Sequence, residues 1–401
     1  FNVIKGFLNI ELSKIAWNQL LTRVNTDGFH QLEKHNRKIL VEYSSPNTNK
    51  PLHLGHLRNI LLGWSVAQIA EACGYEVIKT QIINDRGIAI CKSMMAWTLY
   101  GEGATPESTG TKGDFFVGQY YVLFEQKFQE EYQSWQSSAE ANGIFEAQTD
   151  IVERDIFFKK YKNQYFNLYS KLGQSTKDML LKWEAGDEEV IALWKKMNDW
   201  VYEGFDVTYK AMGVSFDQNY YESDTYLLGK RIVEEKLNEG LFFKKEDGSV
   251  WVDLEEAGMD QKLLLRSDGT SVYITQDIGT AKIRYNDHGA EMMVYVVADE
   301  QDYHFKALFA ILKRLGEPFA DGLHHLNYGM VDLPTGKMKS REGTVVDADD
   351  LIQTVIDEAR QSAEERGGIE GLDENQKNEI YRKIGLAALK YFIIRINPIY
   401  R

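Results

Sequence analysis

At 401 residues the chain exceeds one ordinary domain, and 43% hydrophobic with 26% charged residues is a globular composition that excludes a disordered chain. Apolar runs such as Met292-Met293-Val294-Tyr295-Val296-Val297 are far shorter than a membrane span, and the N-terminus carries no signal pattern, so the expected location is the cytoplasm with no membrane partner. A net charge of -14 argues against indiscriminate nucleic-acid binding while leaving room for a local basic groove, and two cysteines, Cys73 and Cys91, read as core thiols.

In chain order, Lys-Ile-Leu-Val-Glu-Tyr over 38–43 predicts a short buried strand, followed by a polar loop bounded by Pro51. Leu54, Leu57, Leu61 and Ile69 recur at helical spacing up to Ala72, and Gly74 suits the helix end. A strand over 76–82 and a helix through Met94 and Trp97 complete a strand-helix-strand-helix unit, the start of a parallel α/β sheet. From 101 to 248 the pattern turns helical, charged and aromatic, with helices expected over 115–135, 151–172 and 187–212. Strands are expected over 249–253, 262–266, 271–275, 291–297 and 325–328, then helices over 347–358 and 378–395. The predicted fold class is α/β: a Rossmann-type parallel sheet split by a largely helical insertion, followed by C-terminal helices.

A helix N-terminus after a parallel strand favours anions, because free backbone N–H groups and the helix dipole both point there. His53-Leu54-Gly55-His56 sits at such a junction: Gly55 admits close approach, and the two imidazoles lie on one helical face as hydrogen-bond donors to phosphate. The plainer alternative is that the histidines cap the helix or face solvent. Gly336-Lys337-Met338-Lys339-Ser340-Arg341-Glu342-Gly343 is a cationic loop that suits a departing pyrophosphate, although taken alone it reads as a solvated turn. The two together point to an ATP site built for adenylate formation.

The stretch Ser45-Pro46-Asn47-Thr48-Asn49-Lys50-Pro51-Leu52-His53-Leu54-Gly55-His56-Leu57-Arg58 resembles the first signature of class I aminoacyl-tRNA synthetases in its arginyl form. Tyr273-Ile274-Thr275-Gln276-Asp277-Ile278-Gly279 and Val297-Ala298-Asp299-Glu300-Gln301-Asp302-Tyr303-His304 are similar to two further arginyl blocks, in the same order. The usual second signature, Lys-Met-Ser-Lys-Ser, is altered here: Ser340 and Arg341 stand in its last two places and the second Lys moves to 339. The resemblance implies that Lys50 supplies the missing charge, where in isolation it would read as a solvated loop lysine.

It further implies catalytic roles for Lys50, His53, His56, Lys337 and Lys339. ATP would meet His53, Gly55, His56, His304, Lys337 and Met338, and L-arginine would meet Glu42, Asn47, Tyr273, Asp277 and Gln301. A guanidinium with five donors does need acceptors, preferably carboxylates. For several of these residues a plainer role stays open: a helix-dipole charge for Asp277, core for Tyr273, a strand-edge charge for Glu42, a structural hydrogen bond for His304. Asn84-Asp85-Arg86-Gly87 reads as a site-shaping turn, and the aromatic helices as core rather than RNA stacking platforms.

The implied reaction joins L-arginine to ATP as arginyl adenylate and passes it to tRNA(Arg). Mg²⁺ would be held mainly by ATP phosphates, with no protein metal cage. Two rivals are a related nucleotidyltransferase acting without RNA and a synthetase-like module that has lost catalysis. The organisation expected is 1–37 as the end of an appendage and linker, 38–100 and 271–346 as the two halves of the catalytic domain, 101–270 as a connective helical insertion, and 347–401 as helices leading to an anticodon-binding domain beyond the chain. A monomer is expected, binding arginine and ATP but weak in pyrophosphate exchange, since the family needs bound tRNA for activation.

Overall fold

A computed structural model describes residues 1–28, 33–148, 152–333, 336–337 and 346–397. Five runs, most of them rich in β-branched or aromatic residues, form one sheet: β1 (Lys38–Glu42), β2 (Glu76–Ile83), β3 (Gln218–Tyr221), β4 (Met292–Ala298) and β5 (Leu323–Tyr328). The order across it is β5-β4-β1-β2-β3, with every neighbouring pair parallel. All five strands therefore end at one edge. The strand order reverses at β1, so a crevice opens between the C-terminal ends of β1 and β4, where open α/β sheets hold ligands.

Side-chain alternation along β1 divides it between two cores. Ile39, Val41 and Tyr43 join the larger cluster, which includes the helix α1 (Leu54–Ala72), while Leu40 joins the other. Glu42, two residues beyond Leu40, is on that second side. Close seating of α1 depends on Gly63, where an added Cβ would stand 2.2 Å from Tyr43 Cβ.

The larger core continues into α2 (Ile88–Tyr100), α3 (Gly113–Gln136), α4 (Arg154–Leu168), α5 (Lys171–Glu184) and α6 (Glu188–Met212). Their aromatic stripes face one another. Phe116 meets Trp200 edge-on with centroids 5.4 Å apart, and Tyr132 lies 4.7 Å from Tyr165, so the stripes are core as expected.

The second core packs α7 (Leu228–Asn238), α8 (Tyr273–His288) and α9 (Asp302–Arg314), and α10 (Ala348–Glu365) and α11 (Glu374–Ile394) close the described chain. No helix among the described residues is long and apolar enough to cross a membrane.

Several expectations are corrected. The segment 271–275 is not a strand: Ser271 makes only a bridge to Leu265, and α8 begins at Tyr273. Tertiary packing overrides the strand-like Val-Tyr-Ile-Thr, because Gly229 and Gly279 let α7 and α8 touch where an added Cβ on Gly229 would lie 1.6 Å from Thr275 O. The expected helix over 151–172 is two helices, interrupted where Ser170 caps α5 through Gly173 N at 2.8 Å. The strands expected over 249–253 and 262–266 are present as Val250–Val252 and Lys262–Leu265, in a separate antiparallel sheet with Phe243–Lys244. Gln218–Tyr221, inside the stretch read as helical insertion, is the edge strand of the main sheet. Cys91 is buried, but Cys73 is exposed at the end of α1.

Candidate active site

The loop leaving β1 turns through two consecutive left-handed serines, Ser44 at φ 70° and Ser45 at φ 44°. Such a conformation persists where its surroundings over-determine it. Ser44 N donates to Asn59 Oδ1 at 2.5 Å, and the Ser44 hydroxyl meets Tyr209 OH at 2.7 Å. Ser45 Oγ donates to Glu42 Oε1 at 2.9 Å and accepts from Ile82 N at 3.1 Å. Asn59, buried in α1, also donates to Val296 O at 2.6 Å and Tyr328 OH at 3.0 Å, so one amide ties together the ends of β1, β4 and β5. Asn47 pairs with Asn84 at the end of β2.

His53 is the N-cap of α1. Its Nδ1 accepts from Gly55 N at 3.1 Å, and His56 Nδ1 accepts from His53 N at 3.1 Å, with the rings 3.9 Å apart. A ring nitrogen that accepts carries no proton, so each neutral imidazole bears its proton on Nε2. Burial, aided by Lys50, lowers His53 to about 4; burial, His53 and Lys50 push His56 well below its usual range. Capping and phosphate binding, alternatives in the sequence, are thus compatible: Nδ1 caps the helix while Nε2–H remains a neutral donor. Nearby, Gly118 of α3 lets that helix rest on Lys50 and Pro51, since an added Cβ would lie 2.7 Å from Pro51 Cδ.

The chain beyond the second motif returns to the first. Leu54 N donates to Val346 O at 3.0 Å, Ala348 N to Leu52 O at 3.1 Å, and His53 forms an antiparallel bridge with Asp347. Gly336–Lys337 is a short strand paired with Asp332–Leu333. Met338 and Lys339 lie outside the described residues.

Across the crevice the groups are carboxylates. Glu42, 7% exposed, forms an ion pair with Arg284 Nη1 of α8, and Arg284 itself is 1% exposed. Asp277, one helical turn beyond Tyr273, bonds His304 Nε2 at 2.6 Å. His304, which the sequence placed with the ATP group, thus stands beside Asp277, a residue expected to hold arginine. Tyr273 is 77% exposed at the start of α8, and Gln301 is exposed at the N-cap of α9. Asp85 is consumed internally: it accepts from Ser223 N at 2.9 Å, Ser223 Oγ at 2.8 Å and Tyr202 OH at 2.9 Å, which makes its turn structural.

One acid escaped the sequence reading. Glu222 follows β3 directly at the ligand edge of the sheet, and burial pushes its carboxyl up to about 7, opposed by Arg86 and reinforced by Asp85 and Asp277. It lines a cleft of about 580 Å³ with Arg86, Glu184, Lys230, Tyr273 and Gln276. An acid directly after a parallel strand was the available signal; the strand was too short to be noticed. Among the described residues no cluster of His, Cys, Asp and Glu is arranged to cage a metal ion.

Residues 18–399 match the family model described as tRNA synthetases class I (R), catalytic domain. An arginine--tRNA ligase of Bacteroides thetaiotaomicron is 52% identical over 400 residues, which cover 99% of this chain and 64% of that protein. One of Amoebophilus asiaticus is 51% identical over 398 residues, covering 99% and 63%. This chain thus spans a little under two thirds of those relatives. Among solved structures, the arginyl-tRNA synthetase of Thermus thermophilus shares the fold with a TM-score of 0.73 at 22% identity, over 99% of this chain and 64% of that one. That of Plasmodium falciparum gives 0.64 at 18% identity, over 98% and 60%.

Proposed function

The chain belongs to the family of class I (R) tRNA synthetase catalytic domains, and from that premise we propose that it activates L-arginine with ATP and transfers it to tRNA(Arg). The observation that carries this reading is the His53–His56 pair, whose Nδ1 atoms are both engaged so that two neutral Nε2–H donors remain at a helix N-terminus. The arginine carboxylate attacks the α-phosphorus of ATP, arginyl adenylate forms and pyrophosphate leaves; a hydroxyl of the tRNA terminal ribose then attacks the acyl carbon, forming the ester and releasing AMP. No protein nucleophile is needed. Positioning and preorganised donors lower the barrier, with Lys50, Lys337 and Lys339 balancing the charge that develops on pyrophosphate.

Because the groups of the nucleotide side are N–H donors, suited to phosphate oxygens and not to a hard cation, Mg²⁺ would be held mainly by the ATP phosphates. When bound it would neutralise phosphate charge. On the opposite wall, Asp277 and Glu222 supply the carboxylates that a guanidinium requires, with Tyr273 and Gln301 at the rim and Glu42 and Asn47 towards the α-amino group. The ranges 38–100 and 271–346 would form the catalytic domain around the insertion 101–270, with 1–37 and 347–401 flanking it.

Arginine-dependent pyrophosphate exchange, run with and without tRNA(Arg), tests the reading. Exchange that requires arginine and is stimulated by tRNA is the expected result. Exchange driven equally well by lysine or by no amino acid would refute it, and His53→Ala with unchanged adenylate formation would refute the phosphate assignment.

A further inference from the structure

The donors of the nucleotide wall belong to α1, but the backbone that aims them is supported from outside it. Leu54 N donates to Val346 O and Ala348 N to Leu52 O, so residues 346–348 run alongside the segment that carries His53. Just ahead of that segment, Lys50 and Pro51 rest against α3 at Gly118.

Both supports meet at one ammonium. Lys112, the residue before α3, donates from Nζ to Asp114 Oδ2 of α3 at 3.2 Å, to Thr208 Oγ1 of α6 at 2.6 Å and to Asp349 Oδ2 in the first turn of α10. Thr208 Oγ1 donates in turn to Asp349 Oδ1 at 2.9 Å, and Asp114 Oδ1 accepts from Phe115 N at 3.0 Å. An ammonium has three donors, and here each has an acceptor. A polar network whose members are all satisfied holds its parts in one arrangement. Asp114 is fully buried, and α6 passes so close that a Cβ added to Gly204 would stand 2.5 Å from its Oδ1. The anchored end of the tie is therefore in the insertion, and the partly exposed Asp349 is what it grips. Asp349 follows the bridge to the first motif directly: Asp347 caps α10, accepting from Asp349 N at 2.8 Å, while its backbone pairs with His53.

We propose that Lys112 is a positioning residue of the nucleotide site: it fastens the first turn of α10 to α3 and α6, and so keeps residues 346–348 against Leu52–Leu54 with the His53 imidazole in place for phosphate. The inference rests on the phosphate assignment of His53. The effect runs from Lys112 to Asp349, from Asp349 to the Asp347 cap, and from Asp347 to His53. Misplacing such a group by about 1 Å is enough to cost an order of magnitude or more.

The test is isothermal titration of the 401-residue chain with ATP and, separately, with L-arginine. In Lys112→Met, checked for a cooperative thermal transition, ATP affinity should fall by about tenfold while L-arginine affinity stays within about twofold. Asp349→Ala cuts the same tie at its partly exposed end and leaves Lys112 paired with Asp114. It should lower ATP affinity by about the same factor, and the double variant by no more than either. In a His53→Ala background, Lys112→Met should cost less than about twofold, because its effect passes through that imidazole.

A lysine that serves stability alone would lower the unfolding midpoint and leave ATP affinity where it was, and that result overturns the inference. So does an equal loss for both ligands, or a loss of ATP affinity just as large in the His53→Ala background. Should Lys112→Met lack a cooperative transition, unchanged ATP affinity in Asp349→Ala overturns it equally. If the starting chain does not bind ATP, or His53→Ala binds it as tightly, the phosphate assignment itself fails and this inference falls with it.

Discussion

The two walls of the crevice are built in opposite ways. On the proposed nucleotide side, the bonds that set the tautomers of His53 and His56 span two and three residues, and the two imidazoles are uncharged donors. On the proposed amino-acid side, Glu42 meets Arg284 across 242 residues and Asp277 meets His304 across 27, and these groups are carboxylates. A triphosphate brings its own charge and needs donors, which a helix start with two histidines provides locally. A guanidinium brings five donors and needs acceptors, and carboxylates in a half-buried site need charged or hydrogen-bonding partners, here mainly from elsewhere in the fold.

The comparison implies that damage on the amino-acid wall spreads through the fold, whereas damage on the nucleotide wall stays local. The largest effect is expected for Glu42→Gln, which strands a buried guanidinium. Unfolding by urea should register a loss of about 3–5 kcal/mol, with much of it restored in Glu42→Gln/Arg284→Met. Equal losses in the single and double variants would break the comparison.

Next in size is His56→Ala. ATP affinity, measured by titration, should drop by about ten- to a hundredfold, the loss of one hydrogen bond to a charged phosphate, with a change in stability of only about 1 kcal/mol.

The third concerns pH. Folding raises the Glu222 carboxyl from 4.5 to about 7, so between those values the folded state holds a proton that the unfolded state has lost, and stability from this group grows as pH falls. An incoming guanidinium favours the opposite, ionised form. L-arginine affinity should therefore rise with pH up to about 7, by at most roughly tenfold per unit, and level off above. Glu222→Gln should flatten that profile, and an unchanged slope would remove Glu222 from the site. The nucleotide wall offers a contrast, since His53 and His56 stay neutral over the same range and ATP affinity should gain no slope from them.

The smallest effect is expected for His304→Gln. Its bond to Asp277 is partly exposed, and about a threefold loss in L-arginine affinity is the scale of such a pair. No loss at all in ATP affinity would move His304 from the ATP group, where the sequence placed it, to the opposite wall.

Legibility in the sequence followed the same division. β1, α1, β2 and β4 could be read because their hydrophobic periods are local, and His53-Leu54-Gly55-His56 because its hydrogen bonds are. Gln218–Tyr221 is four residues long and its strand character comes from pairing with β2, which no local pattern records. With that strand unseen, Glu222 had no reason to stand out. Tyr273 and Asp277 were recognised, yet the start of α8 was read as a strand, because the glycines that draw α7 against α8 lie at positions 229 and 279 and act only in the folded chain. The bond of Glu42 to Arg284 left no trace in spacing.

The antiparallel bridge between His53 and Asp347 has a consequence for how the molecule comes into being. A ribosome delivers the first histidine nearly three hundred residues before its bridging partner, so α1 emerges with the backbone at its start still waiting for Val346 to Ala348. Nucleotide affinity should accordingly appear late in synthesis, and nascent chains arrested before α10 should bind ATP more weakly than those arrested after it. The start of α1 is thereby completed only when both cores have been made.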